Sequence, residues 1–421
     1  MPLTSEVDGD GHLRVGGVDL VDLAAETGTP VFVYDEAHLR ARCREARLAW
    51  GDGTAYATKA FLCRAMAALA HDEGLCLDVS TGGELHVALS AGVPAERLVL
   101  HGNNKSDAEL SAAVSAGVGR IVVDSFDELD RLERLACAPG RGRPPSVLVR
   151  VTPGVEAHTH EFVRTGQDDS KFGFGLASGA ADEAIARARA LEAAGVVQLA
   201  GVHAHIGSQI FWLGSFDAEV EALAAWFAPL GLDELCVGGG LGVAYVEGEE
   251  APTITEWAAA VKDACRRFGV PASARLTAEP GRSIVGAAAV TLYTVGTIKE
   301  LPGIRTYLSV DGGMSDNPRP VLYGSGYEAF LPRCAAADRP WTATIVGKHC
   351  ESGDVLVADA HLPLGTHVGD VLATPVTGAY GHSMASNYNK VPRPPVVFAA
   401  NGRYRVVVRR ETVEDLTRLD E

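Results

Sequence analysis

No run in this 421-residue chain is long and apolar enough to read as a membrane span; the longest uncharged stretches, near Ala222–Leu232 and Gly286–Ile298, both fall short. Its first ten residues are polar and acidic, so no signal peptide is expected at Met1–Asp10. The eight cysteines form no C-x-x-C pair, which argues against a zinc cluster and for a reduced, cytoplasmic setting. Basic residues are in the minority: the net charge is −17, without an obvious block. That disfavours nucleic acid or an anionic membrane as partner, yet leaves room for a local basic pocket that binds a small anion. Low-complexity tracts and short repeats are also missing. What remains is 47% hydrophobic, enough for two domains with large cores.

Eight apolar runs recur at the spacing of one βα unit. They are the run at Tyr56, then Cys76–Ser80, Arg97–Gly102, Arg120–Ser125, Ser146–Thr152, Leu199–Gly207, Glu234–Gly240 and Arg275–Arg282. Near-continuous hydrophobicity fits parallel strands buried on both faces. Helical patterns such as Glu109–Val118, Asp127–Ala136 and Asp182–Ala194 lie between them. Eight such units over roughly 230 residues predict a (β/α)8 TIM-like barrel, with a doubly wound open sheet as the structural alternative. After about Val285 the pattern changes to short strands: Val290–Gly296, Thr306–Val310, Thr342–Gly347, Asp354–Val357, Val371–Pro375, Val396–Ala399 and Arg403–Val408. Asn401-Gly402 is a type I′ hairpin signal. The fold class is therefore α/β plus all-β, a barrel with a second, mainly antiparallel β domain (barrel or sandwich). The expected boundaries are 36–284 for the barrel and 285–421 for the β domain, which residues 1–35 join through Leu13–Val15 and Val31–Tyr34.

Polar residues gather where barrel strands should end: Lys59, Asp78, His101, Asn103, Asp124, Arg150, His203, His205, Gly238–Gly240, Glu279 and Arg282. Barrel enzymes place chemistry at that rim. Lys59 ends an apolar run, where desolvation would free its amine for imine chemistry; a snorkelling lysine is the bland alternative. The run Gly238-Gly239-Gly240 opens a side-chain-free loop suited to phosphate, and Glu279-Pro280-Gly281-Arg282 adds a carboxylate, a turn and a guanidinium. Seen alone, Glu279 and Arg282 would read equally well as a surface ion pair. Lysine, phosphate loop and carboxylate at one rim converge on pyridoxal 5′-phosphate. Two histidines at alternate positions, His203 and His205, share one side of a strand, so at least one should enter the barrel mouth. No metal is expected, and His158-Thr159-His160-Glu161 lacks a third ligand at zinc spacing. In the β domain Cys350, flanked by His349 and Glu351, is the best acid–base candidate among the thiols. Arg319 and Tyr323 suit a carboxylate clamp, and Tyr380 an apolar wall with a hydroxyl.

These segments together resemble the diaminopimelate decarboxylase family, within the pyridoxal-phosphate fold type III group that includes alanine racemase and ornithine decarboxylase. The resemblance runs from about Val31 to the C-terminus. It rests on Tyr56-Ala57-Thr58-Lys59-Ala60, His101-Gly102-Asn103-Asn104-Lys105-Ser106, Ser170-Lys171-Phe172-Gly173, His205-Ile206-Gly207-Ser208-Gln209, Gly238-Gly239-Gly240 and Glu279-Pro280-Gly281-Arg282. In the second domain it rests on Cys350-Glu351-Ser352-Gly353-Asp354, Gly378-Ala379-Tyr380 and Met384–Asn389. It implies decarboxylation of meso-2,6-diaminopimelate to L-lysine and CO2. It further implies that Lys59 carries the cofactor's aldehyde, that His205 stacks on the ring and that Glu279 faces the ring nitrogen. Ser208, Gly238–Gly240, Gly281, Arg282 and Tyr380 would hold the phosphate and its surroundings. Arg282, Arg319, Tyr323, Glu351 and Tyr380 would grip the substrate, and Cys350 would donate a proton. A homodimer whose subunits share active sites is implied as well. Thr58 and Gly381-His382 depart from common family residues without removing a named group. A related decarboxylase of another amino acid or a carrier-tethered substrate, a racemase, and a silent binding protein are the alternatives; retention of Lys59 and Cys350 speaks against the last.

Overall fold

The computed structural model describes residues 1–136, 143–155 and 169–421; the His158–Glu161 segment lies outside them. Two compact units emerge, one of Met1–Ala41, Val243–Glu250 and Ile284–Glu421, the other of Arg42–Gly242 and Ala251–Ser283.

In the first unit, β1 (Glu6–Val7), β2 (Leu13–Val15) and β3 (Val18–Asp19) form a small antiparallel sheet of their own. The next strand, β4 (Val31–Asp35), belongs instead to the unit's large sheet.

The second unit is the barrel. Its strands are β5 (Ala55–Ala57), β6 (Cys76–Val79), β7 (Leu98–Leu100), β8 (Arg120–Val123), β9 (Ser146–Thr152) with the short β10 (Phe174–Gly175) at its side, β11 (Gln198–Ala204), β12 (Glu234–Cys236) and β13 (Arg275–Thr277). All pair in parallel. The ring closes just past the last strand: Ala55 N–H donates to Ala278 O at 3.0 Å and Ala57 N–H to Pro280 O at 3.1 Å. All eight expected strands are present, each close to its apolar run, and the open-sheet alternative falls.

The barrel's interior follows from the two-residue period of a strand. Ala55, Cys76, Val99, Val122, Leu148 and Cys236 form one buried apolar cluster. Two residues further along the same face come Ala57, Asp78, His101, Asp124, Arg150 and Gly238. Strand register brings His203 opposite Arg150, and Glu279 N–H donates to Gly238 O at 2.7 Å. An apolar plug thus underlies a polar layer at the strands' C-terminal ends, which is what sets the chemistry at that face.

The large sheet of the first unit adds β14 (Ala289–Leu301), β15 (Arg305–Val310), β16 (Trp341–Val346), β17 (Val355–Leu362), β18 (Val371–Pro375), β19 (Val396–Ala400) and β20 (Arg403–Val408). Its order is β17-β16-β15-β14-β4-β19-β20, with β18 also on β14. Five pairings are antiparallel, and β4–β19 and β15–β16 are parallel. Asn401 and Gly402 both take positive φ, 53° and 71°, as a type I′ turn between β19 and β20 requires. No helix among the described residues is long and apolar enough to cross a membrane.

Candidate active site

Glu279 is the centre of the barrel's polar layer. It is buried, and its two carboxylate oxygens are taken by different imidazoles: His101 Nε2 lies 2.8 Å from Oε1 and His203 Nε2 lies 3.0 Å from Oε2. Burial pushes the carboxyl's pKa up, but the two histidines outweigh it and hold Glu279 well below the usual carboxylate range. His203 is itself driven down to about 4, first by burial, so at neutral pH it is an uncharged donor. The rings of His101 and His203 meet edge to face, 4.9 Å between centroids. One ligand atom each from His101, His203 and Glu279 lies within 4.8 Å of the others, a spacing that a metal ion would also accept. Each imidazole nitrogen faces its own carboxylate oxygen at hydrogen-bond distance, the arrangement in which an Nε2–H tautomer donates to an ionised carboxylate. Asp78, buried beside this trio, lies 3.8 Å from His101 Nε2.

A second set of polar residues braces the layer from the side. Arg150 donates to Asp124 at 3.4 Å and stacks 4.3 Å over the Phe172 ring, while Asp124 accepts Gly173 N–H at 2.8 Å. Below it, Lys105 is buried with three acceptors: Gly102 O and Val122 O at 2.7 Å and Glu128 at 3.0 Å.

The glycine run follows β12 as expected. Gly238 and Gly240 take φ of +62° and +112°, and a Cβ at either would sit 2.5 Å from Ala204 O or 2.3 Å from Gly207 O. Only glycine lets this loop close against the chain after β11. Its amides are not all available to a ligand, because Gly239 N–H already donates to His205 Nδ1 at 3.2 Å. Both histidines of the pair therefore serve the barrel, His203 at the strand end and His205 one step beyond. His205 stays neutral, its pKa held well down first by burial and then by the Lys59 cation. Arg282 donates to Ser208 Oγ at 2.9 Å. Glu279 and Arg282 are both buried and engaged elsewhere, so the surface-pair reading fails. Gly281 packs against Ala57 and Ala60, which flank Lys59.

Lys59 departs from expectation in one respect. It sits in the single turn Thr58–Ala60 right after β5, and its side chain is exposed rather than desolvated. The strand stops at Ala57, so the lysine is carried past the apolar layer into the open face.

In the β unit, Arg319 begins the short helix Arg319–Tyr323 and is 4% exposed. Tyr323 is half-buried, and Cys350 and Glu351 are exposed in the turn between β16 and β17. That turn is tied to the loop after β15: Asp354 accepts Met314 N–H at 2.7 Å and His349 N–H at 3.0 Å, and His349 Nε2 lies 2.8 Å from Ser315 Oγ. Cys350 N–H donates to Asn389 at 3.0 Å. Tyr380 takes a positive φ of 59° in a loop anchored by Tyr34 O–H to Gly378 O at 2.8 Å.

The sequence identified His101, Asp78 and Arg150 as rim residues but gave them no role; the two-residue strand period could have placed them on one layer. Tyr245 and Tyr327, which flank Arg319, carried no motif and were missed.

Residues 36–286 match the family model described as "Pyridoxal-dependent decarboxylase, pyridoxal binding domain". The chain is 49% identical to diaminopimelate decarboxylase of Halalkalibacterium halodurans, across 99% of this chain and 97% of that protein. With the Bacillus subtilis protein of the same name it shares 47% identity, across 99% and 97%. The crystal structure of diaminopimelate decarboxylase from M. jannaschii in complex with L-lysine matches with a TM-score of 0.92 and 32% identity, covering 100% of this chain and 99% of that one. By sequence and by fold, the chain belongs to the diaminopimelate decarboxylase family of pyridoxal-dependent enzymes.

Proposed function

We propose that this chain removes the carboxylate from the D-configured carbon of meso-2,6-diaminopimelate, giving L-lysine and CO2, with pyridoxal 5′-phosphate as cofactor. The observation that carries the reading is the doubly clamped Glu279: a buried carboxylate kept ionised by two imidazoles is the group needed to face a pyridine nitrogen and keep it protonated. The other residues fit the same group. A glycine loop that a Cβ would fill and the Ser208–Arg282 pair suit a phosphate, and neutral His205 suits the face of a ring. When bound, the cofactor supplies an electron sink for the pair left behind as CO2 departs.

The chain's own groups divide the rest of the work. Lys59 would hold the cofactor through its amine. Gly238, Gly240, Ser208, Gly281, Arg282 and Tyr380 would secure the phosphate end, with Gly239 shaping the loop while its N–H stays on His205 Nδ1. Arg282, Arg319, Tyr323, Glu351 and Tyr380 hold the substrate, with Arg319 on its distal carboxylate. Among the described residues no carboxylate pairs with Arg319, and a buried guanidinium without a counter-charge is suited to an anionic ligand. The Cys350 thiol donates the proton that replaces CO2. Exposure of Cys350 and Glu351 supports a homodimer in which they serve the partner's barrel. Cytoplasmic residence is the setting favoured by eight cysteines with no C-x-x-C pair. The cofactor-binding domain lies within residues 36–284, less Val243–Glu250 and the first residues up to Ala41, which belong with 1–35 and 285–421 in the second unit.

The deciding experiment offers the purified protein, with pyridoxal phosphate, meso-diaminopimelate, D-lysine, L-ornithine and L-glutamate in parallel and records CO2. Release chiefly from meso-diaminopimelate is expected. Preference for L-ornithine or D-lysine overturns the substrate assignment, and no release from any of them overturns the activity.

A further inference from the structure

Arg319 is held in an unusual way for a buried cation. Its guanidinium carbon lies 4.2 Å over the ring of Tyr245, and its Nη1 donates to Tyr327 O–H at 2.8 Å. The two tyrosines, 5% and 4% exposed, meet edge to face at 5.2 Å and 77°. That hydroxyl is the guanidinium's only hydrogen-bond partner among the described residues. A ring below and a hydroxyl at one edge fix the plane of the fork while leaving its remaining in-plane N–H groups unspent. The backbone adds to the constraint, because Pro318 and Pro320 flank Arg319 at the start of its helix.

We propose that Tyr245 and Tyr327 are positioning residues for specificity: they pre-set the Arg319 guanidinium so that it grips the carboxylate at the far end of the substrate. The proposal rests on the substrate reading above. Its chemical basis is that stacking on an aromatic face partly offsets the charge without using a donor, so the fork meets a carboxylate with little left to order. A lysine at 319 could not be held this way, since an ammonium has neither plane nor fork. Tyr245 reaches this position only five residues after Gly240, so the chain that forms the phosphate loop goes directly on to supply the residue that aims the arginine.

The test compares two ligands that differ by one carboxylate, L-lysine and 1,5-diaminopentane, by calorimetric titration into the holoenzyme. The proteins are wild type, Tyr245→Leu, Tyr327→Phe, Arg319→Leu and the double variant Tyr245→Leu/Arg319→Leu. Tyr245→Leu is expected to weaken L-lysine about tenfold and Tyr327→Phe about fivefold, with diaminopentane changed by no more than about twofold. KM for meso-diaminopimelate should rise with L-lysine's Kd while kcat stays within about threefold. In the Arg319→Leu background the Tyr245 change should add nothing, because the group it aims is gone. Equal loss of both ligands, unchanged L-lysine binding, or a Tyr245 effect that persists without Arg319 each overturns the proposal. If Arg319→Leu itself binds L-lysine normally, the substrate assignment fails and takes the proposal with it. If Arg319→Leu loses L-lysine and the tyrosine variants keep it, the assignment stands and only this proposal falls. Tyr327→Phe removes a single oxygen, so it answers the question even where Tyr245→Leu does not fold.

Discussion

The two units treat their reactive side chains in opposite ways. At the barrel's strand ends the polar groups are buried and already paired with one another: Glu279 with His101 and His203, Asp124 with Arg150 and Gly173, Lys105 with Glu128. In the β unit, Cys350 and Glu351 stand exposed on a turn, which is held through the Cys350 N–H and the side chains of His349 and Asp354. A buried paired group cannot be altered without leaving its partner stranded, whereas an exposed one can. Barrel substitutions should therefore disturb folding and chemistry together, and β-unit substitutions chemistry alone. Lys59 is the exception that joins the two styles, an exposed reactive side chain set within a buried surrounding.

The largest effect is expected at that exception. Lys59→Ala should abolish the visible absorbance band of the lysine-bound cofactor and lower turnover by at least about three orders of magnitude. Being exposed, it should leave the melting temperature of the cofactor-free protein within a few degrees of wild type. A large drop in that temperature would show that Lys59 belongs with the buried groups after all. Next comes Cys350→Ala, which should lower kcat by about 10²–10⁴, the range for a lost proton donor, with the band and the fold intact. Wild-type turnover in that variant removes Cys350 from the chemistry and leaves the β unit without its assigned acid.

Lys105→Met tests the other side of the contrast. The lysine touches no group assigned to the reaction, yet three acceptors converge on it, one of them the buried Glu128. Stranding that carboxylate should cost about 3–5 kcal/mol of stability, read by denaturant unfolding. A loss below about 1 kcal/mol would show that water or rearrangement satisfies Glu128, and that burial in this barrel is less demanding than the contacts imply.

Much of this was legible beforehand, for physical reasons. Strands buried on both faces must be apolar throughout, so all eight barrel strands announced themselves. Asn401-Gly402 marked its hairpin because few other pairs accept two positive φ values. Motif residues such as Glu279 and Gly240 stood out by composition. What stayed hidden is pairwise: that one carboxylate receives two imidazoles depends on three strand ends far apart in sequence, at 101, 203 and 279. The exposure of Lys59 was misjudged because an apolar run says where a strand is, and not the residue at which it leaves the core. Tyr245 gave no signal because an aromatic residue in a loop looks the same whether it packs on leucine or on a guanidinium.

A second carboxyl of the barrel unit sharpens the contrast furthest, since it is buried and has nothing to pair with. Glu219, in helix Gly214–Phe227, is fully buried, and neither of its oxygens has a hydrogen-bond partner among the described residues. Burial alone raises its pKa well above 4.5. Folding therefore takes up a proton that the unfolded chain would release. The resulting stability is complete below about pH 4.5 and declines as pH rises toward the folded pKa, by up to about 1.4 kcal/mol per pH unit. Glu219→Gln keeps the shape and removes the ionisation, so it should abolish that slope. Its melting temperature should rise relative to wild type as pH goes from 5 to 8, with turnover unchanged because the side chain touches no group of the site. A difference between the two proteins that is the same at both pH values would mean that Glu219 finds a partner or water in the folded state. The rule separating the units would then fail at its simplest case, because a buried barrel carboxyl with no protein partner in the structure would stay ionised.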